Sequence, residues 1–175
     1  MVVMLKHQIA ASLEQAFSTH GFAEPNVAQL KAACNVSLRT LYKHYPSKEA
    51  MIVAALEYRH QRYLDFLLND NPHKGIESVI HIFQKLEQWM TESAPHGCLS
   101  MNAIAAFPDN ALISKAVKEH KAEVRHMLGQ QSNRDDLATA LFILHEGVSS
   151  AWPVLGTEAV ISAQKTVLQF FKQEQ

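Results

Sequence analysis

Val36-Ser37-Leu38-Arg39-Thr40-Leu41-Tyr42-Lys43-His44-Tyr45-Pro46-Ser47-Lys48-Glu49 holds two helix starts and one stop. Ser37 and Ser47 are both residues that cap a helix N-terminus, and Pro46 cannot continue the helix that Ser37 opens. Residues 38–45 are therefore predicted to form a short helix, with Leu41 and Tyr45, four apart, facing inward. Arg39, Thr40, Lys43 and His44 share the outer side. Just upstream, Asn26-Val27-Ala28-Gln29 reads as another helix start, in which Asn caps and Gln three residues on reaches back. That helix is expected to end near Cys34-Asn35, since Asn tolerates the positive φ of a tight turn.

A short helix, a turn and a second short helix make the helix-turn-helix arrangement, in which the second helix enters the DNA major groove. Arg39 has the reach and forked geometry for guanine O6 and N7, and Thr40 offers a methyl or hydroxyl to a base. Tyr42, Lys43 and His44 suit phosphates, as do Lys48 and the amides at the start of the Ser47-capped helix. Asn26, Ser37 and Leu38 complete the expected interface. By spacing alone, a solvated helical hairpin with ordinary surface cations fits the same residues.

Outward from this stretch nearly every segment carries a helical period. Leu5, Ile9, Leu13, Ala16 and Phe17 form a stripe that stops at Gly21. Further helices are expected over residues 48–68, 76–91, 98–106, 111–128, 134–152 and 158–172. Residues 69–75 and 129–133 are expected as loops, and Pro153 is expected to stop the helix before it. The fold class is thus all-α, with about nine helices. Residues 1–46 are expected to form a three-helix domain that carries the helix-turn-helix, and residues 47–175 a helical domain that dimerises. The last two helices are apolar over an arc too wide for one partner. Leu137, Leu141, Leu144 and Val148 with Val160, Ala163, Val167 and Phe171 are the expected dimer interface, a four-helix bundle across a twofold axis. A fully internal helix pair in a monomer is the alternative.

Composition narrows the field. With 47% hydrophobic and 19% charged residues the chain belongs among globular proteins, not disordered ones. No apolar run approaches the roughly 20 residues of a membrane span. The first residues turn polar too soon for a signal peptide, and two distant cysteines argue against a disulfide framework, so a cytoplasmic setting is expected. A net charge of −1 gives no global case for nucleic acid, but three of the five Lys/Arg in the first 58 residues lie between positions 39 and 48. Ten histidines raise a metal site, yet none has ligand spacing with a third donor; no metal and no cofactor are expected, and no enzyme activity. Cys98, two residues after His96, reads either as a thiolate with a basic neighbour, hence a redox sensor or a nucleophile, or as a small buried residue opening an apolar helix.

Ile9, Phe17, Gly21-Phe22, Val27, Leu30, Ala33, Val36-Ser37 and the run Thr40-Leu41-Tyr42-Lys43-His44-Tyr45-Pro46-Ser47-Lys48-Glu49-Ala50-Met51 closely resemble the DNA-binding domain of the TetR family. The likeness covers about the first 55 residues, and His96-Gly97-Cys98-Leu99-Ser100-Met101-Asn102-Ala103 with Phe107-Pro108-Asp109 is similar to a segment found in a subset of that family. The resemblance implies a dimer joined by the last two helices that represses from a palindromic operator and is released by a small ligand. Three departures stand out: Asn35 replaces a frequent Gly, Pro25-Asn26 a frequent Thr-Ser, and Ala28 a frequent Arg. The last two remove phosphate contacts, so modest affinity is expected, and a dimeric interaction protein without effective DNA binding is the strongest competing class. For sensing, Tyr63, Phe66, Phe83, Leu86 and Trp89 are expected around a cavity for a small apolar or aromatic ligand. Met101, Ile104, His145, Ser149 and Trp152 complete that set. An ordinary core contains the same residue types.

Overall fold

The computed structural model describes residues 2–172. Among them the chain forms nine α-helices and one 3-10 turn: α1 Val2–His20, α2 Val27–Ala33, α3 Leu38–His44, α4 Lys48–Leu68 and α5 Ile76–Ser93. These are followed by α6 Leu99–Ala106, α7 Ala111–Ser132, the turn Asp135–Leu137, α8 Ala138–Leu155 and α9 Thr157–Lys172. The architecture is all-helical, as the periodicity predicts.

Compactness divides the chain into two units. One gathers the described residues up to Arg62 with Leu99–His120; the other gathers Tyr63–Cys98 with the described residues from Lys121 onward. This division falls at other positions than the expected boundary at 46/47. The first unit has its core in Ile9, Leu13 and Phe17 of α1, Leu30 of α2, Leu41 of α3 and Met51, Ile52 and Leu56 of α4. Below them Glu14, only 4% exposed, accepts from Arg59 at 2.5 Å and from Arg62 at 3.1 Å. A carboxylate this deep needs such partners, because an unpaired buried charge is far costlier than a paired one.

The second unit packs α5 against α9 and α8 against α9. Val79, Ile82, Phe83 and Leu86 meet Leu141, Val148, Val160, Ala163 and Val167 in its core. This turns the expected dimer stripe inward. Leu141, Val148, Val160, Ala163 and Val167 are buried within the protomer, and Leu137, Leu144 and Phe171 are half-buried against the same core. The outward apolar residues of these helices are Ile143, Val154, Leu155, Ile161 and Leu168, with Ile143 63% and Val154 85% exposed. Both arcs are apolar in sequence, and α5 takes the one that the period alone assigned to a second chain.

Two helix ends depart from expectation. Gly129 and Gln130 continue α7 instead of opening a loop, and the helix ends at Asn133, whose φ is 54°. Gly129 is buried, and a methyl group there would lie 2.9 Å from Ala138 Cβ and 3.2 Å from Asp135 Oδ1, so it serves close packing and not a turn. Pro153 lies inside α8, which continues to Leu155 before Gly156 turns it out at φ 54°. In the last turn a proline removes one ladder hydrogen bond without blocking the helix.

Gly129→Ala should lower stability by about 1 kcal/mol, a clash of about 1–3 kcal/mol partly offset by better helix propensity. Thermal unfolding followed by circular dichroism checks this as a fall of roughly 2–4 °C. Glu14→Gln should cost about 3 kcal/mol in denaturant unfolding, because it removes the buried charge that pairs with Arg59 and Arg62.

Candidate nucleic-acid interface and sensing residues

The α2–α3 pair is assembled from caps. Asn26 accepts from the Gln29 amide at 2.9 Å, and Gln29 Oε1 accepts from the Asn26 amide at 2.9 Å, the reciprocal box that the sequence predicts. At the far end Asn35 takes φ 50°, and its amide donates to the Ala32 carbonyl at 3.0 Å. Asparagine is among the few residues that adopt this conformation at small cost, so it serves where glycine is frequent. Ser37 then caps α3 by accepting from the Thr40 amide at 3.0 Å.

Two residues fasten α3. Leu41 is fully buried, and Tyr45, at its C-terminal end, donates its hydroxyl to the Lys6 carbonyl of α1 at 3.1 Å. Lys6 Nζ lies 5.8 Å from the centre of the same ring. Burial, together with the charge of Glu57, raises the Tyr45 phenol above its usual range, which keeps it a donor.

The opposite face of α3 is open. Leu38, Arg39, Tyr42 and Lys43 are exposed, and Thr40 and His44 half-buried. Thr40 Oγ1 is 2.8 Å from Ser37 Oγ, so its hydroxyl is tied to the cap and its methyl is left for outside contact. At the start of α4, Ser47 accepts from the Ala50 amide at 3.1 Å beside a half-buried Lys48. The backbone amide and the Ser47 hydroxyl hold the Glu49 carboxyl below its usual range, so a carboxylate already uses this helix start.

Of the expected sensing residues, Tyr63, Phe66, Phe83, Leu86, Trp89, His145, Ser149 and Trp152 all lie in the second unit. Trp89 stands 5.0 Å from Tyr63 and 5.5 Å from Phe66 between ring centres, and His145 5.8 Å from Tyr63. Phe83 and Leu86 are fully buried in the core, and Trp152 is half-buried against it. Ser149 returns its hydroxyl to the His145 carbonyl at 3.1 Å. Met101 and Ile104 belong to the first unit, where Met101 is exposed and Ile104 packs on that unit's core.

Sequence reasoning missed Lys121 and Glu146. His145 is 2% exposed, and burial holds its imidazole below the usual range and hence neutral. A neutral ring has one donor and one acceptor. Its partners assign them: Nδ1 donates to Glu146 at 3.0 Å, and Nε2 accepts from the Tyr63 hydroxyl. Burial would raise the Glu146 carboxyl, but the His145 hydrogen bond and the Lys121 charge bring it down to about 2. Lys121 Nζ stands 2.8 Å from each Glu146 oxygen and donates to Cys98 Sγ at 3.4 Å. Burial disfavours the ammonium, yet Cys98 and Glu146 outweigh it and raise the Lys121 pKa. The available signal was Glu146 itself, the only charged residue in the eighteen of α8. Among the described residues, no group of three or more His, Cys, Asp or Glu could hold a metal ion.

The chain is 18% identical to a TetR-family transcriptional regulator from Streptomyces coelicolor, with a TM-score of 0.81 over 95% of this chain and 89% of that one. Its identity to E. coli NemR in the reduced form is 22%, with a TM-score of 0.75 over 94% and 96%. A putative regulator from Streptomyces avermitilis is 20% identical, with a TM-score of 0.78 over 95% and 97%. No curated protein matches the chain. Residues 9–55, from the middle of α1 into α4, match the family described as bacterial regulatory proteins, tetR family. That match covers the N-terminal helices, and over the helices that follow the likeness to the solved structures is one of fold.

Proposed function

We propose that this chain is a ligand-responsive transcriptional repressor that binds a palindromic operator as a homodimer in the cytoplasm and leaves it when a small molecule binds. The observation that carries the reading is α3 itself, pinned by Leu41 and Tyr45 on one side and presenting Leu38, Arg39, Tyr42 and Lys43 on the other. Residues 1–46 act as the DNA-reading domain. Arg39 reads a guanine edge, the Leu38 side chain and Thr40 methyl meet thymine methyls, and Tyr42, Lys43 and His44 hold phosphates. Asn26, Ser37 and Lys48 support the interface from the helix starts.

Residues 47–175 sense and dimerise. Ile143, Val154, Ile161 and Leu168 supply the apolar contact across a twofold axis, taking over from the inward-turned stripe. An apolar or aromatic ligand stacks on Tyr63, Phe66 and Trp89, with the Tyr63–His145 pair as its polar anchor. Phe83, Leu86, Ser149 and Trp152 of the same unit form the wider set from which its walls are drawn. Seating the ligand shifts α4 and with it the spacing of the two reading helices. The ligand must prefer the state that does not bind DNA; a roughly 100-fold preference supplies about 2.7 kcal/mol of coupling.

The rival reading, a dimer of this fold without effective DNA binding, draws on Ala28 and the small basic count. Titration against DNA flanking the protein's own gene at two salt concentrations separates the two. Specific binding should weaken with salt, and Arg39→Ala should lose about 1–3 kcal/mol of it. No binding above background at low salt would sink the repressor reading. Ile143→Glu should convert the dimer to a monomer in sedimentation with helix content unchanged; a species of unchanged mass would move the interface elsewhere.

A further inference from the structure

The anchoring of Tyr45 leaves a groove of about 330 Å³ beside it, between α1 and α4 and wholly within the first unit. Ala10 of α1 and Ala54 of α4 are its buried floor, and their small side chains leave the room. Rings supply the walls. Tyr45 is one, and the half-buried Tyr58 is another, meeting the His7 ring edge-on at 4.9 Å between centres. A space of this size lies at the lower end of what small-molecule sites occupy, so it suits a compact ligand with a flat apolar part.

Two opposite charges border this groove without neutralising each other. Lys6 and Glu57 both line it, and both are exposed. Among the described residues neither side chain makes a hydrogen bond or an ion pair; the Lys6 ammonium only overlies the Tyr45 ring, 5.8 Å from its centre. Glu57 is close enough to the same residue that, after burial, its charge is the next cause raising the Tyr45 phenol. Arg62, 5.9 Å from the centre of the Tyr58 ring, is instead committed to Glu14 at 3.1 Å. The groove thus offers aromatic faces, one uncommitted ammonium and one uncommitted carboxylate.

We infer that this groove binds a zwitterionic amino acid with a planar side chain. Glu57 receives its ammonium, Lys6 receives its carboxylate, and the side chain lies against the rings of Tyr45 and Tyr58. A ligand with an amine alone would set a cation beside Lys6, and one with a carboxylate alone would set an anion beside Glu57. A ligand carrying both charges meets each with its opposite. The site uses none of the residues assigned above to DNA or to the sensing ligand, so it stands or falls apart from the repressor reading.

The test titrates the full-length protein calorimetrically with L-phenylalanine and L-tryptophan, with phenethylamine and hydrocinnamate as controls that carry one charge each. At least one of the amino acids should saturate one site per chain with a Kd of about 1 mM or tighter. Each control should bind about three- to tenfold more weakly than that amino acid. Glu57→Gln and Lys6→Gln change exposed side chains and leave the Lys6 carbonyl to Tyr45, so both proteins should keep their helix content. Each should weaken the amino acid about three- to tenfold, and Glu57→Gln should also abolish its advantage over hydrocinnamate. No saturation by either amino acid overturns the proposal. A control that binds as tightly as the amino acid overturns the zwitterionic class, whether or not the variants fold. Unchanged binding in either folded variant places the ligand elsewhere and overturns the site.

Discussion

The exposed helix α3 is held in place through a buried ion pair. Glu14 of α1 lies beneath Arg59 and Arg62 of α4, with a hydroxyl from Ser18 also reaching its carboxylate at 3.1 Å. Water cannot compensate this charge, so the guanidinium groups must, and the relative setting of α1 and α4 follows. Ile9, buried four residues before Leu13 on the same α1 stripe, follows by one turn the Lys6 carbonyl that receives the Tyr45 hydroxyl. Arginine pair, α1 and tyrosine therefore form one mechanical line ending at α3. Neither α2 nor α3 exceeds seven residues, too short for a helix to persist alone in water, which is why caps and side-chain anchors decide their geometry.

The second unit solves the opposite problem, placing charge inside an apolar packing. Glu146 and Lys121 satisfy one another, and the neutral His145 spends both ring nitrogens on Glu146 and Tyr63. Every member has a partner, the condition under which a buried polar network favours one arrangement of the helices instead of loosening them. The same network adjoins the aromatic group of Tyr63, Phe66 and Trp89, so polarity and apolar surface lie within a few ångströms of each other.

Local chemistry was legible in the sequence and long-range packing was not. The Asn26–Gln29 box, the Asn35 turn and the Ser37 cap depend on neighbours within four residues, and each forms as expected. Gly129 could not be read this way, because its function is set by the approach of Ala138 across the following turn. Nor could the period of α8 tell its two apolar arcs apart: Leu141 and Val148 differ from Ile143 and Val154 only in what α5 and α9 place against them. Of the candidate sites, the exposed residues of α3 followed directly from the inward positions of Leu41 and Tyr45. The Lys121–Glu146 pair did not, since its partners lie on different helices, α7 and α8, and 25 residues apart.

The division of labour on α3 has an evolutionary reading. Its fold rests on Leu41, Tyr45 and the Ser37–Thr40 cap, while Leu38, Arg39, Tyr42 and Lys43 point away from every core contact. Substitutions at exposed positions of this kind usually change stability by no more than about 0.5 kcal/mol. This surface of α3 can therefore be rewritten residue by residue without passing through unfolded intermediates. A duplicated copy of such a gene could acquire a new outer surface on α3 while its scaffold stayed untouched.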